Sequence, residues 1–100
     1  MSQLVRNLSL FKSEWAGNKW PCVDIDPYDY NDFLIVLHHL CNAFSVAMPS
    51  VFSVIDVCIA DLEIHGSPVT LHMDNWTFSV AAQDEAVRDL IFDALEQLSI

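Results

Sequence analysis

The sequence predicts an α+β domain: an antiparallel sheet with element order ββ-α-βββ-α and two helices packed on one of its faces. Three observations predict it. Short stretches that alternate apolar and polar residues, bounded by Gly, Pro, Asn or Asp, occur near the N-terminus and three times between residues 57 and 82. That is the pattern of strands with one dry face and one wet face. Two longer stretches repeat their apolar residues at three- and four-residue steps, as amphipathic helices do. Finally, 100 residues with 53% apolar content and only two glycines suffice for one packed core and leave no room for a second, so a single domain should span residues 1–100.

The elements follow in order. Residues 3–11 read as a first strand, with Leu4, Leu8 and Leu10 inward, Asn7 and Ser9 outward, and Arg6 interrupting the inward row. Residues 13–19 hold Gly17 and Asn18 and read as a turn. Residues 20–25 pair back as a second strand, ended by Asp26 and Pro27. From Asp29 or Tyr30 to about Ala47, the residues Phe33, Leu34, Leu37, Leu40, Cys41 and Phe44 make one helical stripe. Asp29 and Asp32 stand at the positive end of that helix dipole, and Met48-Pro49-Ser50 ends the helix. Residues 51–55 are apolar and fit either irregular packing or the start of a strand.

Residues 57–65 set Cys58, Ala60, Leu62 and Ile64 against Ile59, Asp61, Glu63 and His65, with Gly66-Ser67-Pro68 as the connection. Val69, Leu71 and Met73 face inward on the next strand, and Thr70, His72 and Asp74 outward. Asp74-Asn75 supplies a turn, after which Trp76, Phe78, Val80 and Ala82 form an inward row. Asp84 is a good N-cap for the last helix, whose buried stripe is Val87, Leu90, Ile91, Ala94, Leu95 and Leu98. Its solvent side is Glu85, Asp89, Asp93 and Glu96.

Several function classes are excluded on chemistry. No apolar run approaches the roughly 18 to 20 residues of a membrane span, and residues 1–10 lack the features of an export signal, so cytoplasmic residence is expected. Cys22, Cys41 and Cys58 are an odd, widely spaced set without C-x-x-C, so reduced thiols are expected. No G-x-S-x-G elbow occurs, and Gly17 and Gly66 are too few to build a phosphate-binding loop. No catalytic residue and no cofactor is therefore expected. His65, His72 and Asp74 make the one conceivable metal group, but their spacing is not diagnostic, and polar residues on a strand surface explain them more simply. His38 and His39 point about 100° apart on a helix, one toward the core and one toward solvent.

Charge says more. Fourteen acidic residues face four basic ones, for a net charge of −10, and from residue 20 onward Arg88 is the only base. Such a field repels nucleic acid and anionic lipid and attracts cationic surfaces. Acidity can also serve solubility alone. Trp15, Trp20, Tyr28 and Tyr30 interleave with Glu14, Asp24, Asp26, Asp29 and Asp32, a mixture that suits a protein interface. The two tryptophans equally suit closing one end of the core. Asp24, Asp26, Tyr28, Asp29 and Asp32 are the first expected contact set. Asp61, Glu63, His72 and Asp74 on the sheet face are the second. Asp24 with Asp26, and Asp61 with Glu63, share strand faces at two-residue spacing and read as solvated acidic surface.

The stretch Ile64-His65-Gly66-Ser67-Pro68-Val69-Thr70-Leu71-His72-Met73-Asp74-Asn75-Trp76-Thr77-Phe78-Ser79-Val80, followed by an acidic amphipathic helix, resembles the C-terminal part of small bacterial immunity proteins. These protect a cell from the toxin of a contact-dependent growth inhibition or related polymorphic toxin system. The resemblance covers about the last 40 residues and rests on a hairpin-plus-helix pattern. It implies a cytoplasmic inhibitor that blocks one cognate basic toxin domain, often a nuclease, with no catalytic signature and no transferable interface residues. The alternative class is a small structural or regulatory subunit that homo-oligomerises through a sheet edge or helix face.

Overall fold

The structure is a computed structural model that describes residues 9–26 and 28–98. Its elements are β1 (Ser9–Glu14), β2 (Pro21–Asp26), α1 (Tyr30–Phe44), β3 (Val51–Val54), β4 (Val57–Ile64), β5 (Ser67–Met73), β6 (Phe78–Ala82) and α2 (Glu85–Leu98). The six strands form one antiparallel sheet in the order β1-β2-β6-β5-β4-β3. Both helices cover the same face. The α+β class and the helices on one face are thus as the sequence predicts, and residues 51–55, left open there, supply the short edge strand β3.

The core follows from the two periodicities. Val23 and Ile25 of β2, Ala60 and Ile64 of β4, Val69, Leu71 and Met73 of β5, and Phe78, Val80 and Ala82 of β6 present one dry face. Phe33, Val36, Leu37, Leu40 and Cys41 of α1 and Val87, Ile91 and Leu95 of α2 close over it. Phe33 and Phe78 meet with ring centroids 5.9 Å apart. Between the helices, the His39 Nε2 lies 2.7 Å from the Ala94 carbonyl, while His38 is exposed.

Several boundaries move, each for a local reason. Of the predicted first strand, residues 3–8 lie outside the described residues, and the strand runs on to Glu14. Helix α1 stops at Phe44, three residues before the predicted end, because Ser45 turns into the left-handed region (φ 56°). The β4–β5 connection is His65-Gly66, both at positive φ as a two-residue hairpin turn of the primed type requires. Ser67 and Pro68 already belong to β5, where the Ser67 Oγ accepts the Asp84 N–H. Leu34 and Leu90, placed on the buried stripes, are exposed instead, and Val36 takes an unpredicted place inside.

Two side chains bear on function, Trp76 against expectation and Arg88 where none was set. Trp76 does not continue the inward row of β6. The carboxylate of Asp74 accepts the N–H groups of Trp76 and Thr77, each at 2.8 Å, and the Asp74 N–H donates to the Thr77 carbonyl. These bonds close a four-residue loop and leave Trp76 82% exposed. Arg88, the lone base of the last helix, is only 7% exposed. Its guanidinium donates to the carbonyls of Ser13 and Cys22 and pairs with Glu85 and Asp89, fastening α2 to the β1–β2 hairpin.

Candidate partner-binding site

The face of the sheet opposite the helices carries an unbroken cross-strand row: Phe11, Asp24, Ser79, His72, Ile59 and Phe52, one residue from each strand. The next row toward the β1–β2 turn is Ser13, Cys22, Ala81, Thr70 and Asp61. To donate to the Ser79 Oγ (2.9 Å), the Trp15 indole must cross the Cys22 and Ala81 row. Trp20 stacks on it with ring centroids 6.3 Å apart, and His72 meets the Trp15 ring edge-on. The two tryptophans therefore pack on the outer face of the sheet, where Cys22, Ser79 and Ala81 are buried, rather than capping the helix-side core.

That packing fixes the chemistry of Cys22. Burial, with the Asp24 carboxylate 3.6 Å from the sulfur, pushes its thiol pKa up to about 12. A thiol so protonated is a poor nucleophile.

The other feature lies at the end of the sheet where α1 begins. There the β2–α1 loop, the β3–β4 turn and the β5–β6 loop stand together, as the register requires. Asp26, Tyr28, Asp29, Tyr30, Met73, Asp74, Asn75 and Trp76 line an open cleft of about 500 Å³. Tyr28 is held in place: its hydroxyl donates to the Asp74 carbonyl (2.8 Å), and its ring meets Phe78 edge-on. Burial, then the neighbouring Asp74 and Asp26 carboxylates, raise its pKa. Partial burial works against ionising Asp74, but the N–H groups of Trp76 and Thr77, the nearby His72 and the Thr77 hydroxyl outweigh it and hold the pKa below its ordinary value. All three hydrogen bonds fall on Oδ1, so Oδ2 takes part in none of them.

No family model, curated protein or solved structure matches the chain.

The residues expected at an interface are distributed unevenly. Asp26, Tyr28 and Asp29 of the first set and Asp74 of the second meet in the cleft, although the sequence places them in separate groups. Asp24 lies one row away on the open face. Asp32 is the correction: it is 2% exposed and belongs to a capping box, in which its Oδ2 accepts the Asp29 N–H while the Asp29 carboxylate accepts the Asn31 and Asp32 N–H groups. Asp61 accepts a 2.6 Å hydrogen bond from Thr70, and Glu63 lies farther down β4, so neither reaches the cleft. His72 stands beside Trp15, Thr77 and Ser79 in a smaller depression. His65 is at the opposite end of the sheet, edge-on to Phe44, so the His65, His72 and Asp74 grouping is not formed. Among the described residues no cluster suits a metal ion.

Sequence reasoning missed Trp76 because it begins the last strand two residues early, whereas Asn75 is placed in the turn where it stands but given no role. The Asp-x-x-Thr spacing of Asp74 and Thr77 is the signal that marks the loop. Tyr30 joins the cleft from the first turn of α1, and its hydroxyl lies 3.5 Å from the Ile55 carbonyl in the β3–β4 turn. Ile55 is 94% exposed and at φ 26°, an unfavourable setting for a β-branched residue. Among the described residues, no helix is long and apolar enough to cross a membrane.

Proposed function

We propose that this protein is an immunity-type inhibitor that binds and neutralises a cognate basic toxin domain in the cytoplasm, a nuclease being the best electrostatic match. The observation that carries this reading is where the described cations sit. Among the described residues, every ion pair involves Lys12 or Arg88 and lies on the α2 side. Lys19 stands in the β1–β2 turn, at the end of the sheet away from the cleft. Asp24, Asp26, Asp56, Asp61, Glu63 and Asp74, on the open face and at the cleft end, make no ion pair with any described residue and have no described Lys or Arg among them, whereas Asp93 and Glu96, also without such an ion pair, share the α2 side with Lys12 and Arg88. Their field steers a cationic protein to that side of the molecule, and the exposed aromatic residues at the cleft end supply contact area. A nuclease surface that grips phosphates offers the complementary charge, and carboxylates in place of phosphates would block it without any catalytic step. The hairpin-and-helix resemblance to immunity proteins points the same way.

The test is direct binding. Calorimetry and pull-down against a panel of basic toxin nuclease domains should give a nanomolar complex whose affinity falls with added salt and in which nuclease activity is lost. Failure of every such domain to bind, with a salt-independent self-association in its place, would favour the homo-oligomerising subunit. That second reading draws on the exposed Phe52 and Val54 of edge strand β3.

A further inference from the structure

The cleft end of the sheet pairs exposed apolar surface with carboxylates in a way that selects among cations. Trp76 and Tyr30 are both exposed, and Ile55 beside Tyr30 is almost wholly in solvent. A surface of this kind, rimmed by polar groups, marks a docking site. The cavity is ligand-sized, about 500 Å³, and its carboxylates are Asp26, Asp29 and Asp74. Anions are repelled from it. A second copy of this chain would bring another net charge of −10 against it. Among protein cations, a guanidinium is flat and weakly hydrated, stacks on aromatic rings and forks two N–H groups onto one carboxylate. An ammonium is a compact, strongly hydrated point charge that does neither.

We infer that the cleft is a socket for an arginine side chain projecting from the cationic protein partner. Its guanidinium stacks on the exposed rings of Trp76 and Tyr30 and forks onto the carboxylate of Asp26 or Asp74. The inference rests on the reading of a basic protein partner given above, and it adds the group that is gripped and where.

The experiment is an NMR titration of the isotope-labelled full chain with two blocked tripeptides, Gly-Arg-Gly and Gly-Lys-Gly. The arginine peptide should shift the Trp76 indole and the backbone amides of Tyr30 and Asn75, and bind about three- to fivefold more tightly than the lysine peptide. Trp76→Ala should abolish that preference, and Asp26→Asn should weaken both peptides. Glu96→Gln, on the exposed side of α2, should change neither. Equal binding of the two peptides, or shifts that map to α2 or to the β1–β2 turn, would overturn the socket. Its fate is separable from that of the proposed function. A toxin domain that binds Trp76→Ala and Asp26→Asn as tightly as the parent protein overturns the socket and leaves the inhibitor intact. Arginine-selective binding in the cleft, with no toxin partner found, supports the socket and counts against the inhibitor.

Discussion

Two acid-rich regions of this molecule behave in opposite ways. At the α2–β1 corner, Glu85 and Asp89 pair with Arg88, and Asp89 also with Lys12, whose ammonium lies 4.9 Å from the Phe92 ring centroid. The charges there hold two elements together. At the cleft end, Asp26 is exposed and Asp74 half-buried beside exposed aromatic residues, and among the described residues the hydrogen bonds to the Asp74 carboxylate come from its own loop. The same residue type is structural at the Arg88 corner and, among the described residues, without an ion pair at Asp26 and Asp74 of the cleft, as it also is at Asp93 and Glu96 farther along α2. On the proposed function, the net charge attracts a cationic partner and the cleft end, which has no described Lys or Arg, is where it docks.

The sharpest way to break the comparison is to remove the cation of the paired corner. Arg88→Ala strands the carbonyls of Ser13 and Cys22 and two carboxylates, and should cost about 2–4 kcal/mol in chemical denaturation. If the corner is purely structural, the variant, where folded, should keep the parent's affinity for a basic partner. Loss of Asp74 tests the other side. Asp74→Ala removes the acceptor that closes the β5–β6 loop and should cost about 1 kcal/mol, the worth of a capping interaction, while weakening partner binding.

Titration separates the two regions again. Asp74 and Asp89 are both held below the ordinary value of 3.8, so each contributes stability at neutral pH that is lost as pH falls through its depressed folded value. The causes differ. Asp89 depends on Arg88 and then Lys12, at an exposed site, whereas the N–H groups that depress Asp74 belong to its own loop. Raising the salt to about 1 M should return Asp89 toward its ordinary value and leave Asp74 low, as carboxyl NMR titrations would show. On the alkaline side, Cys22 is raised from 9.0 to about 12. The stability it contributes is complete below 9 and disappears as pH rises toward 12. At neutral pH a thiol reagent should label Cys58 well before Cys22 or Cys41, both of which are buried.

The smallest expected effects are at the cleft rim. Ile55→Gly relieves a positive φ and should raise stability by about 0.5–1 kcal/mol. Asp26→Asn should change stability by less than about 0.5 kcal/mol, as surface substitutions do, while still weakening partner binding.

The sequence carried the architecture because the two periodicities are strong: the rows from Cys58 to Ile64 and from Val69 to Met73, and the Val87, Ile91 and Leu95 stripe, need only burial to become elements. It failed where a side chain, and not a period, decides the local structure. Asp74 ends β5 by hydrogen-bonding forward, which turns Trp76 from a core residue into an exposed one. Asp32 disappears into the cap of α1. Arg88 reads only as the one base after residue 20, because what it holds, the β1–β2 hairpin, is distant in sequence. For the cleft, Asp26, Tyr28, Asp29 and Asp74 were legible one by one as exposed acidic and aromatic positions. Their meeting was not, since it depends on β5 and β6 lying between β2 and β4 in the sheet.

The most direct test compares affinities for one basic toxin domain that binds the protein. The Asp26→Asn/Trp76→Ala double variant, which removes one negative charge, should bind about a hundredfold more weakly than the parent, while Glu85→Gln/Glu96→Gln, which removes two from α2, should bind within about twofold of it. Equal losses in the two variants would mean that charge acts without location, and a loss confined to the α2 variant would place the interface on the opposite side of the molecule.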